Sequence, residues 1–264
     1  MITLEQILIS QSQMLKGQKV KLVRHKDSRV QYRDIIKDRD ALLAYQCEQP
    51  KDVFKGCDYI ISFIGLERKR SIFIGVFKVN DTTVKNGQYH YDLEPVTAFN
   101  DLVDRLVIDW GKNAIAWHQW YDKQSKEVIE ILPRGYIGNF PGLLDFVLEY
   151  DELHSLINNP EANHDWRQHL SSVNGIYMIL DSSTGMQYIG SANGKNGIWQ
   201  RWSDYAANGH GGNKELISLQ KKNSHHHRNF KFSVLQSLPS NITQRELSRL
   251  KTCIKKNWGQ RYMD

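Results

Sequence analysis

The feature that most restricts the fold is a pair of short apolar segments joined by a turn. Residues 175–180 read GIYMIL and residues 186–191 read MQYIGS, and the five residues between them are Asp-Ser-Ser-Thr-Gly. Asp, Ser and Gly favour tight turns because their side chains bond the local backbone or, for Gly, permit positive φ. Two β-type segments on either side of such a turn pair as an antiparallel hairpin. The sequence therefore predicts a hairpin with one tyrosine on each strand, Tyr177 and Tyr188, and leaves open whether the two share a face.

The segment after this hairpin contains residue types suited to binding phosphate. SANGKNG (191–197) is a glycine-rich loop that lets the backbone approach an anion closely, and it carries Lys195. The following segment, 197–209, has helical periodicity and ends in Asn-Gly, which is typical of a helix C-terminus. Arg201 and Tyr205 are four residues apart and so share one helical face. A guanidinium matches the charge that spreads over a phosphoryl group during its transfer.

These residues together resemble the GIY-YIG nuclease superfamily. The resemblance covers roughly residues 173–264 and rests on Gly-Ile-Tyr, Tyr-Ile-Gly and the arginine on the next helix. The tyrosine four residues after that arginine resembles the pattern of restriction-type members, in which a tyrosine replaces the histidine that other members have at this place. NGIWQRWSDYAANGHGGNKEL (196–216) resembles bacterial members that carry an extra N-terminal domain. The resemblance implies a small antiparallel sheet flanked by helices and the hydrolysis of DNA phosphodiester bonds.

The resemblance also implies roles for individual residues. Tyr177 would act as general base toward the attacking water, and Tyr188 would orient water and phosphate. Arg201 would hold the scissile phosphate with the help of Tyr205. A tyrosine has an ordinary pKa of about 10, so a base role needs nearby cations that stabilise the phenolate.

The implied metal is Mg²⁺, for which Mn²⁺ can substitute, held by a single glutamate. Glu246 and Glu215 are the two glutamates of this part of the chain, and Glu246 near the start of an amphipathic segment is the predicted ligand. Thr243-x-x-Glu246 is also a capping box, a role that needs no metal. Many members end with an asparagine that this chain lacks at the matching place, and Asn257 is the candidate substitute.

The N-terminal part reads as a separate domain rich in strands. A capping box at Thr3 predicts a first helix, and further helices are predicted at 33–46 and 142–157. Strands are predicted at 19–23, 58–66, 71–79, 87–94, 105–111 and 127–133. The strand spacing predicts a mixed α/β, barrel-like domain, and 56–79 looks similar to small β-barrel readers of the PUA-like type. Asn-Asn-Pro (158–160) predicts a boundary, which gives domains 1–158 and 165–264 and an α+β protein.

The distribution of charge indicates a polyanionic partner, here double-stranded DNA. The net charge is +6, and from residue 173 onward thirteen Lys and Arg face five Asp and Glu. The predicted DNA contacts are Lys195, His210, Lys214, Arg68, Lys69 and Arg70.

Two further clusters have alternative interpretations. His225–His227 are consecutive and so diverge, which favours a loop over a metal site. Four aromatic residues and His118 lie within twelve positions and predict either a packed core or a cage for an extruded base. The four are Trp110, Trp117, Trp120 and Tyr121.

The functional hypothesis is a magnesium-dependent DNA endonuclease of restriction or defence, which could read DNA modification through its N-terminal domain. A structure-specific repair nuclease and an inactive DNA-binding regulator are the alternatives. Double-strand cleavage usually needs two active sites, so a homodimer on DNA is expected. Three widely spaced cysteines, no secretory leader pattern and no run of 18 apolar residues predict a cytoplasmic protein without a membrane span.

Overall fold

The computed structural model describes residues 1–26, 38–112, 116–257 and 262–263, and the chain divides into two compact units. The N-terminal unit is Met1–Leu132 and the C-terminal unit is Pro133–Asp264. The division therefore falls before the Asn-Asn-Pro segment that the sequence suggested. The reason is that Leu153 and Leu156 are fully buried in the core of the C-terminal unit, so residues before 158 belong to it.

The N-terminal unit is built on a curled half-barrel sheet of eight strands within its described residues. Its helices are α1 (Leu4–Gln11) and α2 (Arg39–Cys47), with 3₁₀ turns at Thr97–Leu102 and Tyr121–Lys123. Its strands are β1 (Val20–His25), β2 (Glu48–Gln49), β3 (Tyr59–Gly65), β4 (Arg70–Lys85), β5 (Gln88–Pro95), β6 (Leu106–Asp109), β7 (His118–Trp120) and β8 (Val128–Ile131). The order is β2-β5-β4-β3-β1-β7, and β6 joins β4 to β8. β1 and β3 are parallel, and the other pairs are antiparallel.

Side-chain alternation along β1 separates two cores in this unit. Val20 and Leu22 pack in one hydrophobic cluster, whereas Val23 packs in the other. Successive residues of a strand point to opposite faces, so the sheet buries apolar side chains on both sides. The predicted capping box at Thr3 is confirmed, and it starts α1, whose Leu4 and Leu8 are buried in the first of these clusters.

The C-terminal unit is a five-stranded sheet with helices packed against it. Its helices are α3 (Tyr150–Asn158), α4 (His164–Ser171), α5 (Gly197–Asn208), α6 (Lys214–Lys222) and α7 (Gln244–Asn257), and a 3₁₀ turn spans His226–Asn229. Its strands are β9 (Leu148–Glu149), β10 (Asn174–Asp181), β11 (Gln187–Ala192), β12 (Phe230–Leu238) and β13 (Tyr262–Met263). The order is β13-β11-β10-β12-β9, antiparallel except for β11 with β13. The predicted α+β class is therefore observed at the level of both units.

The predicted hairpin is formed by β10 and β11, and its register decides the face of the tyrosines. Tyr177 pairs with Gly190, and Ile179 pairs with Tyr188. Directly paired residues share a face, and so do residues two apart on a strand, so Tyr177 and Tyr188 point the same way. Both belong to the same hydrophobic cluster.

Two predicted helices differ from the structure. Residues 142–147 are not helical: Gly142 has φ +130, and the chain then extends into β9, which pairs with β12. Helix α3 therefore covers only the second half of the predicted 142–157 segment. In the 33–46 segment the described helix begins at Arg39, and 33–37 lie outside the described residues. No helix in the described ranges has the length and apolar character that crossing a membrane requires.

Candidate active site

Three of the predicted site residues form one hydrogen-bonded cluster. Arg201 Nε donates to the Tyr177 hydroxyl at 3.0 Å, and Arg201 Nη2 donates to the Tyr205 hydroxyl at 3.3 Å. The two hydroxyls lie 3.1 Å apart and share a hydrogen bond. Tyr177 reaches this point because β10 presents it to α5, and Arg201 and Tyr205 lie one turn apart on that helix.

The Arg201 guanidinium is held on a third side by backbone. Its Nη1 donates to the carbonyl of Gly211 at 2.8 Å and lies 3.6 Å from the Asp204 carboxylate. Gly211 has φ +52, and a Cβ there would lie 2.7 Å from the Tyr205 ring, so this turn requires glycine. A guanidinium has five N–H donors, and these described bonds use three of them. Two donors remain that can face a phosphate.

A polar cavity of about 390 Å³ lies beside this cluster, and it contains groups that sequence reasoning did not single out. Its lining includes Tyr188, Arg201 and Asp204, joined by Gln200 and by Gln244 and Lys251 from α7. The Lys251 ammonium lies 5.8 Å from the centroid of the Tyr188 ring. Asp204 follows Arg201 by three residues, a spacing visible in the sequence. Lys251 gave no comparable signal because its approach depends on how α7 packs.

The three phenols differ in how easily each loses its proton. Burial, followed by the proximity of Tyr188, raises the pKa of Tyr177 to about 12. Burial likewise raises the pKa of Tyr205 far above its ordinary value. Burial would also raise the pKa of Tyr188, but the Lys251 ammonium, hydrogen bonds with Tyr205 and Asn213, and Arg201 together lower it below 10. Of these three phenols, Tyr188 is therefore the one whose anion is best stabilised.

Arg201 remains charged in this environment despite partial burial. Burial alone would lower its pKa, but the surrounding Tyr177, Tyr205 and Tyr188 raise that pKa above the ordinary value for arginine. The cluster therefore fixes a permanent positive charge at the edge of the polar cavity.

Glu246 lies outside this cavity. Its Oε2 accepts from the backbone N–H of Thr243 at 3.0 Å and from the Thr243 hydroxyl at 2.7 Å, which is the capping-box arrangement. Gln244 lines the cavity, and Glu246 is about 200° further around α7 at 100° per residue. The same bonds to Thr243 lower the pKa of the Glu246 carboxyl, so it is charged at neutral pH. The side chain is exposed.

Magnesium needs few ligands from the protein. It prefers oxygen donors and commonly keeps one or two carboxylates, with water and substrate phosphate completing its shell. In the described ranges no three His, Cys, Asp or Glu side chains lie close enough to hold a metal ion. A single-carboxylate ion fits this site through Asp204, which lines the cavity, whereas Glu246, the predicted ligand, is exposed outside it and bonds Thr243.

The other predicted DNA contacts fall into two groups. In the C-terminal unit, Lys195 is exposed in the loop before α5, His210 Nδ1 accepts from the Gly212 N–H in the turn after it, and Lys214 begins α6. In the N-terminal unit, Arg68 and Lys69 are exposed, with Arg68 at φ +53. The carbonyl of Arg68 accepts from Arg24 Nη2 and Lys26 Nζ, and Arg70 pairs with Glu130.

The remaining sequence candidates are the histidine run 225–227 and Asn257. His226 bonds the buried Asp181 carboxylate at 2.7 Å, and His227 bonds Gln220 at 3.0 Å, so these neighbours point to different partners. Asn257 is the last residue of α7, and its side chain lies outside the described part of the chain.

Comparisons of the chain with protein-family models, curated proteins and solved structures found no match.

Proposed function

We propose that the protein is a magnesium-dependent DNA endonuclease of the GIY-YIG type. The observation that carries this proposal is the Arg201 guanidinium, held by two phenols and a backbone carbonyl with two N–H donors left over at a polar cavity. A guanidinium held in this way stabilises the charge that develops on a phosphoryl group. The excess of positive charge in the C-terminal part favours DNA over a small phosphate ester.

The mechanism follows from the differences among the phenols. Arg201 binds a non-bridging oxygen of the scissile phosphate, and Tyr177 and Tyr205 keep its guanidinium in place. Tyr188, as phenolate beside Lys251, takes the proton of the attacking water. This assigns the base role to Tyr188 instead of Tyr177, because the pKa of Tyr177 is raised to about 12.

Magnesium, held by Asp204 at the cavity, would supply positive charge for the phosphate and the leaving oxygen. The basic turn at Arg68 and Lys69 supports DNA contact by the N-terminal unit, whose curled sheet is compatible with a PUA-like reader. Restriction or another defence role in the cytoplasm, acting as a homodimer on DNA, is the biological setting we propose.

The proposal is tested by cleavage of plasmid DNA with and without modified cytosines, and of branched DNA, in the presence of Mg²⁺. We expect Arg201→Gln to lower kcat about 10²–10³-fold, as the loss of one charge-stabilising donor does in other enzymes. Arg167→Gln is the matched control, because Arg167 is an exposed arginine of the same unit that pairs with Glu161. Equal cleavage by the Arg201→Gln variant and the parent protein would refute the proposal. Cleavage restricted to branched DNA would favour repair.

A further inference from the structure

The apolar side of helix α7 is fully used in the core of the C-terminal unit. Leu247 is buried, and Leu250 and Ile254 pack beside it in a cluster with Ile176 and Ile189 of the sheet. These two isoleucines alternate along β10 and β11 with the tyrosines of the other cluster, so α7 packs on the sheet face opposite α3, α4 and α5. A basic helix binds a membrane surface through an apolar side, and α7 has no such side left to offer.

The opposite side of α7 carries a row of cations. Arg245, Arg249 and Lys256 are exposed, and at 100° per residue they lie within about 40° of one another around the helix. At 1.5 Å per residue this basic row is about 16 Å long. Within the described part of the chain, none of the three forms an ion pair with an acidic side chain. Arg249 and Lys256 line one depression of about 440 Å³, where an anion would meet both.

The charge of α7 contrasts with that of the helices on the other face of the sheet. Residues 244–257 contain five Lys and Arg and a single Glu, whereas residues 145–171, which include α3 and α4, contain six Asp and Glu and one Arg. The single Glu of α7 is Glu246, whose carboxylate bonds Thr243. A polyanion that approaches α7 therefore meets cations, whereas one that approaches α3 and α4 meets carboxylates.

The basic row is continuous with the cavity that contains Arg201. Gln244 and Lys251 of the same helix line that cavity. At 100° per residue, Ser248 and Thr252 lie between the cavity side of α7 and the basic row. Both are exposed, and hydroxyl groups commonly bond phosphate oxygens. A nucleic-acid strand with one phosphate in the cavity can therefore place neighbouring phosphates along this helix.

We propose that the basic row of α7 binds the sugar-phosphate backbone of duplex DNA next to the phosphate that enters the cavity. The row is as long as about five base-pair steps of about 3.4 Å each, so it can follow several phosphates of one strand. Contacts of this kind position the duplex and read no sequence. The proposal rests on the proposed function, which places a DNA phosphate in the cavity. It names a surface separate from the contacts predicted at Lys195, His210 and Lys214.

The test is binding of a fully paired duplex to the full chain, without magnesium, at a series of salt concentrations. Arg245→Gln with Arg249→Gln should make the slope of log K against log salt less steep by about 2, since each phosphate contact contributes about 0.9. Adding Lys256→Gln should remove about 1 more. Glutamine favours helix and the three positions are exposed, so the melting temperature should stay at the parent value.

The matched control is Lys221→Gln with Lys222→Gln, which removes the same charge as the double arginine variant from an exposed part of α6. We expect it to leave the salt slope nearly unchanged. Equal slopes for the two double variants would show that binding depends on net charge alone and would overturn the proposal. Binding of polyglutamate or of phosphatidylserine vesicles in place of the duplex, lost in the α7 variants, would overturn it in favour of an acidic protein or a membrane.

Cleavage separates this proposal from the proposed function. With magnesium, the α7 variants should raise KM and keep kcat, because they remove binding that is equal in the ground state and the transition state. Binding through α7 by a protein that cleaves no DNA would refute the nuclease and leave the surface standing. Cleavage by the α7 variants with the parent KM and the parent salt dependence would refute the surface and leave the nuclease standing.

Discussion

At the scale of single residues, the glycines of the two tripeptides are explained by packing. A Cβ at Gly190 would overlap the Tyr177 ring across the hairpin. A Cβ at Gly175 would lie 2.7 Å from the carbonyl oxygen of Gln236 and 2.9 Å from Ile198. Both glycines therefore make room for β10 between its neighbours, and Gly190 in particular leaves the space that the Tyr177 phenol occupies.

Gly190→Ala should displace the Tyr177 phenol and with it the Arg201 guanidinium. We expect a loss of stability of about 1–3 kcal/mol from overpacking and a loss of cleavage much larger than that change explains. Gly185→Ala is the matched control: Gly185 has φ +74 with no atom within 4 Å of the added Cβ, so its cost is backbone strain of about 1–2 kcal/mol. The measurements are thermal melts and cleavage rates of both variants. Equal cleavage rates would contradict the prediction that Gly190→Ala displaces the Tyr177 phenol and the Arg201 guanidinium.

Lys251 provides the second prediction at this scale. A base must be unprotonated to act, so the logarithm of kcat/KM should rise with pH and level off at the pKa of Tyr188, which lies below 10. Lys251→Met removes a cation that favours the phenolate, so the pKa rises and the plateau moves to higher pH. Below the plateau the rate falls about tenfold for each unit of this shift. Lys251→Arg should keep the parent profile, and an unshifted profile in Lys251→Met would exclude Tyr188 as the base.

The residues of this cluster were only partly foreseeable. Tyr177, Tyr188, Arg201 and Tyr205 were predicted from the resemblance that their motifs carry, and the structure brings them together because a hairpin and the next helix are close in the chain. Lys251 and Gln244 were missed because they come from a helix more than forty residues further on, whose rotation depends on Leu247 packing in a separate core. A local sequence pattern predicts contacts between residues that are close in the chain, and contacts with a distant helix are not visible in it.

At the scale of secondary structure, the start of α7 combines a cap with a predicted metal ligand. Glutamine serves as well as glutamate in a capping box, so Glu246→Gln keeps the cap but removes the negative charge. Because Glu246 lies outside the cavity, we expect this variant to melt at the parent temperature and to keep magnesium-dependent cleavage. Thr243→Ala should lower the melting temperature, since it breaks the cap at a cost of about 0.5–2 kcal/mol.

Asp204→Asn is the comparison that makes this test decisive. The Asp204 carboxylate lines the cavity and lies 3.6 Å from Arg201 Nη1, and we expect the loss of its charge to abolish magnesium-dependent cleavage. Loss of cleavage in Glu246→Gln with full activity in Asp204→Asn would instead place the metal at Glu246. Full activity in both would refute the magnesium proposal.

The elements also show where periodicity misleads. Residues 142–157 have apolar spacing that suits a helix throughout, yet Phe146 packs edge-on against Trp166 and Trp202 from a non-helical segment. Leu148 and Glu149 then pair with β12. A helix and an irregular segment can both bury apolar residues at these positions, so the sequence alone did not distinguish the two structures. Strong local signals, such as the Thr3 cap and the Gly209 C-cap at φ +73, were foreseen and are observed.

At the scale of the whole molecule, the limits of the C-terminal unit can be tested by truncation. A fragment of residues 133–264 should fold with a cooperative melt, whereas 165–264, the predicted domain, should not. The shorter fragment lacks four buried side chains of the core, Leu148, Tyr150, Leu153 and Leu156. Their burial contributes on the order of 10 kcal/mol, which is comparable to the whole stability of a typical domain.

The measurement is circular dichroism and thermal melting of both fragments, with plasmid cleavage as a second readout. The Tyr150 hydroxyl also donates to the carbonyl of Ala206 at 2.9 Å, which ties α3 to the helix that carries Arg201. Cooperative folding of residues 165–264 would show that β9 and α3 are dispensable and would support the domain boundary that the sequence predicts at residues 158–160.

The burial of Tyr177 has a consequence for anyone who wishes to evolve this protein in the laboratory. Its ring is fully buried and meets Trp202 at an angle of 86°, so the same side chain fills the core and holds the arginine. Random libraries that vary the surroundings of this ring will lose soluble clones and active clones together, and selection will not distinguish the two. Diversity introduced at exposed residues of the other unit, such as Arg68 and Lys69, avoids that confusion and is the more productive starting point for changing what the protein acts on.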